Sequence, residues 1–273
     1  MKLGTVRTAL SSAAFTQVGD ETRYHRAADV RELLESGKWT HLDGETGPAP
    51  AIVDLLPPVL SPRKFICVGL NYVDHAREVG KEAPAVPTLF SKVPTALIGA
   101  ADDIRIPPIT NRVDWEAELG IVIGTTVRKA DEDAATAAIL GYTVVNDISM
   151  RDWQNRTSEW FQGKNFDDST PVGPVVVSAD GVDVTGGVAV ECIVNGEVMQ
   201  AGTTANMIFS PIDIVRYISQ FLTLEPGDVI ATGTPAGVGF SRTPPIALVP
   251  GDTVVTRIEG IGELVNRCVA DDR

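Results

Sequence analysis

Apolar residues fall along the chain in short blocks of differing period, and the blocks predict an α+β protein in which strands predominate. FICVGL (65–70), LGIVIG (119–124) and YTVVND (142–147) are near-continuous apolar runs of strand length, the pattern of strands buried on both faces. In VAVECIVNGEVMQ two β-rich runs flank Asn195-Gly196, a pair that suits the two positive-φ positions of a type I′ hairpin. Pro-Gly-Asp occurs at 226–228 and again at 250–252, each time leading into a strand, VIATG and TVVTRIEG; two copies mark turn chemistry rather than a repeat. Helical spacing is found in AADVRELLESG, where Val30, Leu33 and Leu34 share a face and Gly37 supplies a stop. It recurs in EDAATAAIL, capped by Asp131 and expected to end at Gly141, and in IDIVRYISQFL, opened by Ser210 and Pro211.

Up to about His41 the pattern is light, with two short strand-like pieces flanking Gly19-Asp20. Prolines 48, 50, 57, 58 and 62 then interrupt both helix and sheet. The expected division is a small N-terminal domain with its linker over 1–58 and a larger catalytic domain over 59–273.

Composition narrows the function. A chain of 273 residues with 44% hydrophobic content can build a full core. A net charge of −13 with no run of lysine or arginine argues against nucleic acid or an anionic membrane as partner. An acidic protein that binds a small anion needs a local arginine, lysine or metal to reverse the sign. Three scattered cysteines read as buried free thiols in a reducing compartment. The N-terminal MKLGTVRTALSSAAF lacks an unbroken apolar segment, and no stretch reaches transmembrane length, so a soluble, cytoplasmic protein is expected. No nucleophile elbow, H-E-x-x-H or paired C-x-x-C is present, and TGTPAGVG lacks the lysine of a phosphate-binding loop. With three histidines in all, a histidine-rich zinc site is excluded; the chemistry falls to oxygen ligands, one histidine or a lysine.

VDWEAELGIVIG (113–124) reads as a strand that carries Glu116 and Glu118 on one face. Two such carboxylates are either solvated or arranged to hold a hard cation, which cancels their repulsion. Asp147, at the end of YTVV, is either a turn former or a third ligand. If DHAREV forms a helical turn, His75 and Glu78 lie three apart and can pair, as a surface ion pair or as an oriented general base. Lys164 stands in the polar-aromatic loop FQGKNFD.

GLNYVDHARE, VDWEAELGIVIG, VNDISMRD, QGKNFD, the NGE hairpin with the helix start MIFSP, and GDVIATGTPAGVG follow one another between Arg63 and Val265. In that order they resemble the fumarylacetoacetate hydrolase family. The resemblance implies a β-roll of mixed sheets, with Glu116, Glu118 and Asp147 as ligands of one Mg²⁺ or Mn²⁺. It implies His75 and Glu78 as a water-activating dyad on a short lid helix, Lys164 beside the metal, and Gln154, Gly233 and Thr234 as substrate contacts. Larger members carry a fourth metal-site carboxylate where this chain has Asn71 or apolar neighbours, which places it in the short branch. The implied partners are a small 2-oxo or β-keto acid and a second copy of the chain. Because both dyad residues are present, the implied reaction is C–C hydrolysis of an acylpyruvate, with charge on the departing enolate met by the cation and Lys164. Oxaloacetate decarboxylation and 2-hydroxyhepta-2,4-diene-1,7-dioate isomerisation would use the same site. A non-catalytic metabolite binder is the reading of a different class.

Overall fold

The computed structural model describes residues 1–37 and 44–273, so His41 lies outside the described residues. The described chain is α+β and mainly β, as its apolar blocks predict. Its largest sheet has twelve strands. Ten of them run in the order Glu45–Gly47, Glu21–Tyr24, Ser12–Val18, Lys2–Arg7, Thr170–Ser178, Ile139–Asn146, Ala117–Ile123, Val229–Ala231, Phe65–Gly69, Thr88–Lys92. A five-stranded sheet runs Glu197–Thr203, Ala189–Val194, Thr253–Ile258, Gly262–Ala270, Ile104–Ile106. Lys2–Arg7 pairs antiparallel with both Ser12–Val18 and Thr170–Ser178, so the N-terminal segment shares its sheet with the body.

The strand Ala117–Ile123 is buried at every position. Leu119, Ile121 and Ile123 enter one apolar cluster, while Val122 on the opposite face joins Cys67, Val145 and Val172 in another. Period-2 alternation in a doubly buried strand therefore feeds two cores at once. All three cysteines are buried and free. Asn195 and Gly196 both take positive φ, 53° and 83°, in the hairpin between Ala189–Val194 and Glu197–Thr203.

Six helices are described: α1 (Val30–Glu35), α2 (Val73–Glu78), α3 (Glu132–Ala138), α4 (Arg151–Gln154), α5 (Phe161–Lys164) and α6 (Pro211–Ser219). Ser210 and Asp213 complete a reciprocal capping box at the start of α6. Two expectations are corrected. Helix α3 stops at Ala138 and Ile139 opens a strand; Gly141 lies within that strand, where a Cβ would run into the Val177 carbonyl. The glycine serves close strand approach, not a helix stop. The stretch 113–124 is also not one strand: Val113–Asp114 pairs with Ser149–Met150, and pairing resumes only at Ala117. The break follows from Asp114, whose carboxylate accepts from the N–H groups of Trp115, Gly239 and Phe240 and from Arg151.

Candidate metal centre and active site

The chain end of one β-ladder builds the centre. Ala117 pairs with Asn146, so Glu116 and Asp147 emerge side by side where the two strands part. Asp147 N–H donates to the Glu116 carbonyl (2.9 Å), and Glu116 N–H donates to Asn146 Oδ1 (3.0 Å). Glu118 lies within the strand and projects from the same end. The result is a cluster in which one oxygen from each of Glu116, Glu118 and Asp147 lies within 4.8 Å of the others.

Charge is unevenly compensated in this cluster. Lys164 Nζ bridges Glu116 Oε2 (2.6 Å) and Asp147 Oδ2 (2.7 Å), Arg151 Nη2 meets Glu116 Oε1 at 2.7 Å, and Lys92 Nζ stands 2.8 Å from Asp147 Oδ1. Burial alone would raise the Glu116 carboxyl, but Lys164 and Arg151 outweigh it and bring it down to about 2. Burial opposes charge on Lys164 too, yet Asp147 and Glu116 hold its ammonium well above the ordinary lysine range. Among the described residues no cation forms an ion pair with Glu118, and Lys164 acts on it only at longer range. Its recorded partner is the Gly233 N–H, at 2.8 Å. Burial, with Asp147 and Glu116 alongside, pushes its carboxyl well above the usual range. A carboxylate 1% exposed, facing two others and lacking a counter-ion, fits a cation. An all-oxygen donor set suits a hard divalent cation.

Helix α2 carries His75 to the same space. The turn into it passes through left-handed backbone at Leu70 (φ 55°), a conformation that costs a non-glycine residue roughly 1–3 kcal/mol. Asn71 holds that turn: its amide donates to the carbonyls of Phe209 (3.0 Å) and Thr232 (2.8 Å) and accepts from Phe209 N–H (2.8 Å). One turn on, His75 Nδ1 lies 2.9 Å from Glu78 Oε2. Glu78 Oε1 accepts from Gly237 N–H (2.9 Å) and Ser241 Oγ (2.6 Å), which docks α2 onto the Gly-rich loop. Burial pushes the Glu78 carboxyl up, but the bonds from His75, Ser241 and Gly237 prevail and hold it below the usual range. An ionised Glu78 selects the tautomer with hydrogen on Nδ1, leaving Nε2 as acceptor.

The centre opens into a cavity of about 250 Å³ lined by His75, Glu116, Glu118, Gln154, Lys164, Gly233 and Thr234 among others. Seven of the nine residues singled out in the sequence thus meet at one wall-to-wall space; Glu78 and Asp147 sit directly behind it on His75 and Lys164. Thr234 Oγ donates to the Ala117 carbonyl (2.9 Å) and accepts from Gln200 Nε2 (2.7 Å). Gln154 Oε1 accepts from Arg151 Nη1 (2.8 Å).

Sequence reasoning missed four contributors. Arg151 neutralises Glu116 and also lines the cavity. Its place in VNDISMRD, beside the ligand aspartate, is the signal that could have found it. Lys92 is wholly buried; its Nζ also donates to Thr170 Oγ1 (2.7 Å) and to the Lys164 carbonyl (2.5 Å). Lys81 and Trp160 line the cavity from loops whose local sequence carries no mark of it.

Residues 64–269 match the family described as fumarylacetoacetate (FAA) hydrolase C-terminal. The chain belongs to the fumarylacetoacetate hydrolase family. It is 44% identical over 219 residues to human oxaloacetate tautomerase FAHD2A, mitochondrial, covering 80% of this chain and 70% of that protein. An uncharacterized protein of Archaeoglobus fulgidus is 44% identical over 237 residues, covering 87% of this chain and 90% of that one. Among solved structures, the fumarylacetoacetate hydrolase of psychrophilic Exiguobacterium antarcticum superposes with a TM-score of 0.89 at 36% identity, covering 99% of this chain and all of that one. The 2-hydroxyhepta-2,4-diene-1,7-dioate isomerase of Mycobacterium marinum gives 0.77 at 34% identity, with both chains fully covered. These neighbours share the fold, so the mixed-sheet architecture expected of a fumarylacetoacetate hydrolase family member is the one observed. No helix among the described residues is long and apolar enough to cross a membrane.

Proposed function

We propose that this protein is a divalent-metal-dependent enzyme that interconverts the enol and keto forms of oxaloacetate or a closely similar short 2-oxo dicarboxylate. The observation that carries the reading is that one oriented imidazole and one ion-paired ammonium share a cavity with a three-carboxylate cluster. A cation held by Glu116, Glu118 and Asp147 would supply Lewis acidity to the substrate's 2-oxo and carboxylate oxygens.

The rest falls to the chain's own groups. Lys164, held protonated by Glu116 and Asp147, acts as a fixed positive charge for the enol oxygen and not as a base. His75 Nε2, with Nδ1 tied to Glu78, moves the proton between that oxygen and C3; the enol O–H bond breaks as the C3–H bond forms, and the C2=C3 π bond becomes the C2=O π bond. Lys81 stands at the cavity wall, where the C-terminal turn of α2 fixes its backbone (Lys81 N–H to the Ala76 carbonyl, 2.8 Å). It supplies a charge for a second carboxylate. The relatives' names favour proton transfer, since both a tautomerase and a dienedioate isomerase shift a proton on a dicarboxylate.

C–C hydrolysis of an acylpyruvate is the second reading. It is favoured by the same dyad, because an Nε2 that takes a proton from carbon or oxygen can take one from water. The two are separated by one assay: purified protein with Mg²⁺ is offered enol-oxaloacetate, followed by loss of ultraviolet absorbance, and acylpyruvates, followed by pyruvate release. Fast enol loss with little pyruvate supports tautomerisation. Pyruvate release without enol loss replaces it with hydrolysis, and neither activity removes both.

A further inference from the structure

Trp160 and Gly69 make a contact that the carboxylate chemistry does not require. Trp160 immediately precedes α5 and lines the cavity. Its indole packs edge-on against Phe90, with ring centroids 5.5 Å apart and planes at 73°. Phe90 also lies under Lys164, whose Nζ is 5.0 Å from the ring centroid. On another side the indole rests against the strand end at Gly69: a Cβ there would run into Trp160 Cζ3 and come within 2.9 Å of Cη2. Gly69 does not take a positive φ, so its backbone suits any residue. What the position demands is the absence of a side chain. An aromatic wall backed by a strand and a second ring cannot yield as a free loop side chain would.

We propose that Trp160, seated against Gly69 and Phe90, is a specificity-determining residue that limits the substrate to short 2-oxo acids without a bulky group at C4. This rests on the reading of the site given under Proposed function. Rejection by a fixed wall is effective where mere lack of attraction is not, and one methylene against such a wall discriminates by about 10–200-fold.

The test measures binding, in Mg²⁺, of oxalate and of 4-phenyl-2-oxobutanoate by calorimetry. Trp160→Ala is expected to raise the affinity for the phenyl compound relative to oxalate by about tenfold or more. An unchanged ratio overturns the proposal alone. Failure of oxalate to bind the wild-type protein overturns the reading of the site as well. The seating is read separately by thermal unfolding. Gly69→Ala should lower Tm in the wild-type background and leave it nearly unchanged in the Trp160→Ala background. An equal loss in both backgrounds shows that the indole is not what Gly69 accommodates, and overturns the proposal.

Discussion

Glu118→Gln tests the electrostatics of the carboxylate cluster with opposite signs in two states. The replaced group is buried, keeps one hydrogen bond from Gly233 N–H, and lies within 4.8 Å of Glu116 and Asp147 oxygens. At an effective dielectric near 20, two unit charges at that separation repel by roughly 3.5 kcal/mol, a cost that helps raise the Glu118 carboxyl and that the metal-free protein meets by repulsion or by protonating it. Lys164 and Lys92 offset part of this, so the amide is expected to stabilise the metal-free protein by about 1–3 kcal/mol. With metal the sign reverses. An ion at 100 times its Kd stabilises the wild type by about 2.7 kcal/mol, and the variant should lose most of that gain. Urea unfolding of both proteins, in chelator and in excess MgCl₂, reads the four midpoints. The variant should be the more stable protein in chelator and the less stable one in Mg²⁺. A variant weaker than wild type in chelator, or one that gains as much from Mg²⁺, refutes the reasoning.

Other expectations follow from the same geometry. Lys92→Met leaves Asp147 Oδ1, Thr170 Oγ1 and two carbonyls without their shared donor and should cost about 3–5 kcal/mol, measured by chemical unfolding; a loss under 1 kcal/mol contradicts this reading of the buried contacts. His75→Ala should lower kcat by about 10²–10⁴ while calorimetric Mg²⁺ affinity holds, and retained turnover would place the base elsewhere. Glu78 has a folded pKa below its unfolded one, so its stabilising link to Gly237 and Ser241 is fully present above the unfolded value of 4.5 and lost as pH falls through the folded one. The protection of the Gly237 amide, its exchange rate corrected for the intrinsic base-catalysed rate, should therefore hold through neutral pH and fall only in acid; protection that falls between pH 6 and 7 contradicts the assignment.

Much of the fold was legible where partners are near in sequence or the apolar pattern is long. The Asn195-Gly196 hairpin, the cap of α6 and the His75–Glu78 pair depend on residues no more than three apart, and each is found as read. Ala117–Ile123 was visible because a doubly buried strand needs an unbroken apolar run. Lys2–Arg7, in the same sheet, was not, since it acquires its place by pairing with Thr170–Ser178 far along the chain. The same distinction governs the site. Glu116 and Glu118 advertise themselves by spacing, and Asp147 by ending a strand. Lys92 and Trp160 gain meaning only from contacts across the fold: Lys92 with Asp147 and Thr170, Trp160 with Gly69 and Phe90. Asp114 shows why a continuous pattern can still break, because a buried carboxylate that gathers three backbone N–H groups and an arginine overrides strand pairing.

Proton transfer at C3 of a short 2-oxo dicarboxylate is read out by NMR of oxaloacetate in D₂O with the Mg²⁺-loaded protein. Deuterium should enter C3 faster than in a protein-free control, with the excess abolished by chelator and by His75→Ala. Exchange at the control rate with the metal-loaded protein would contradict it.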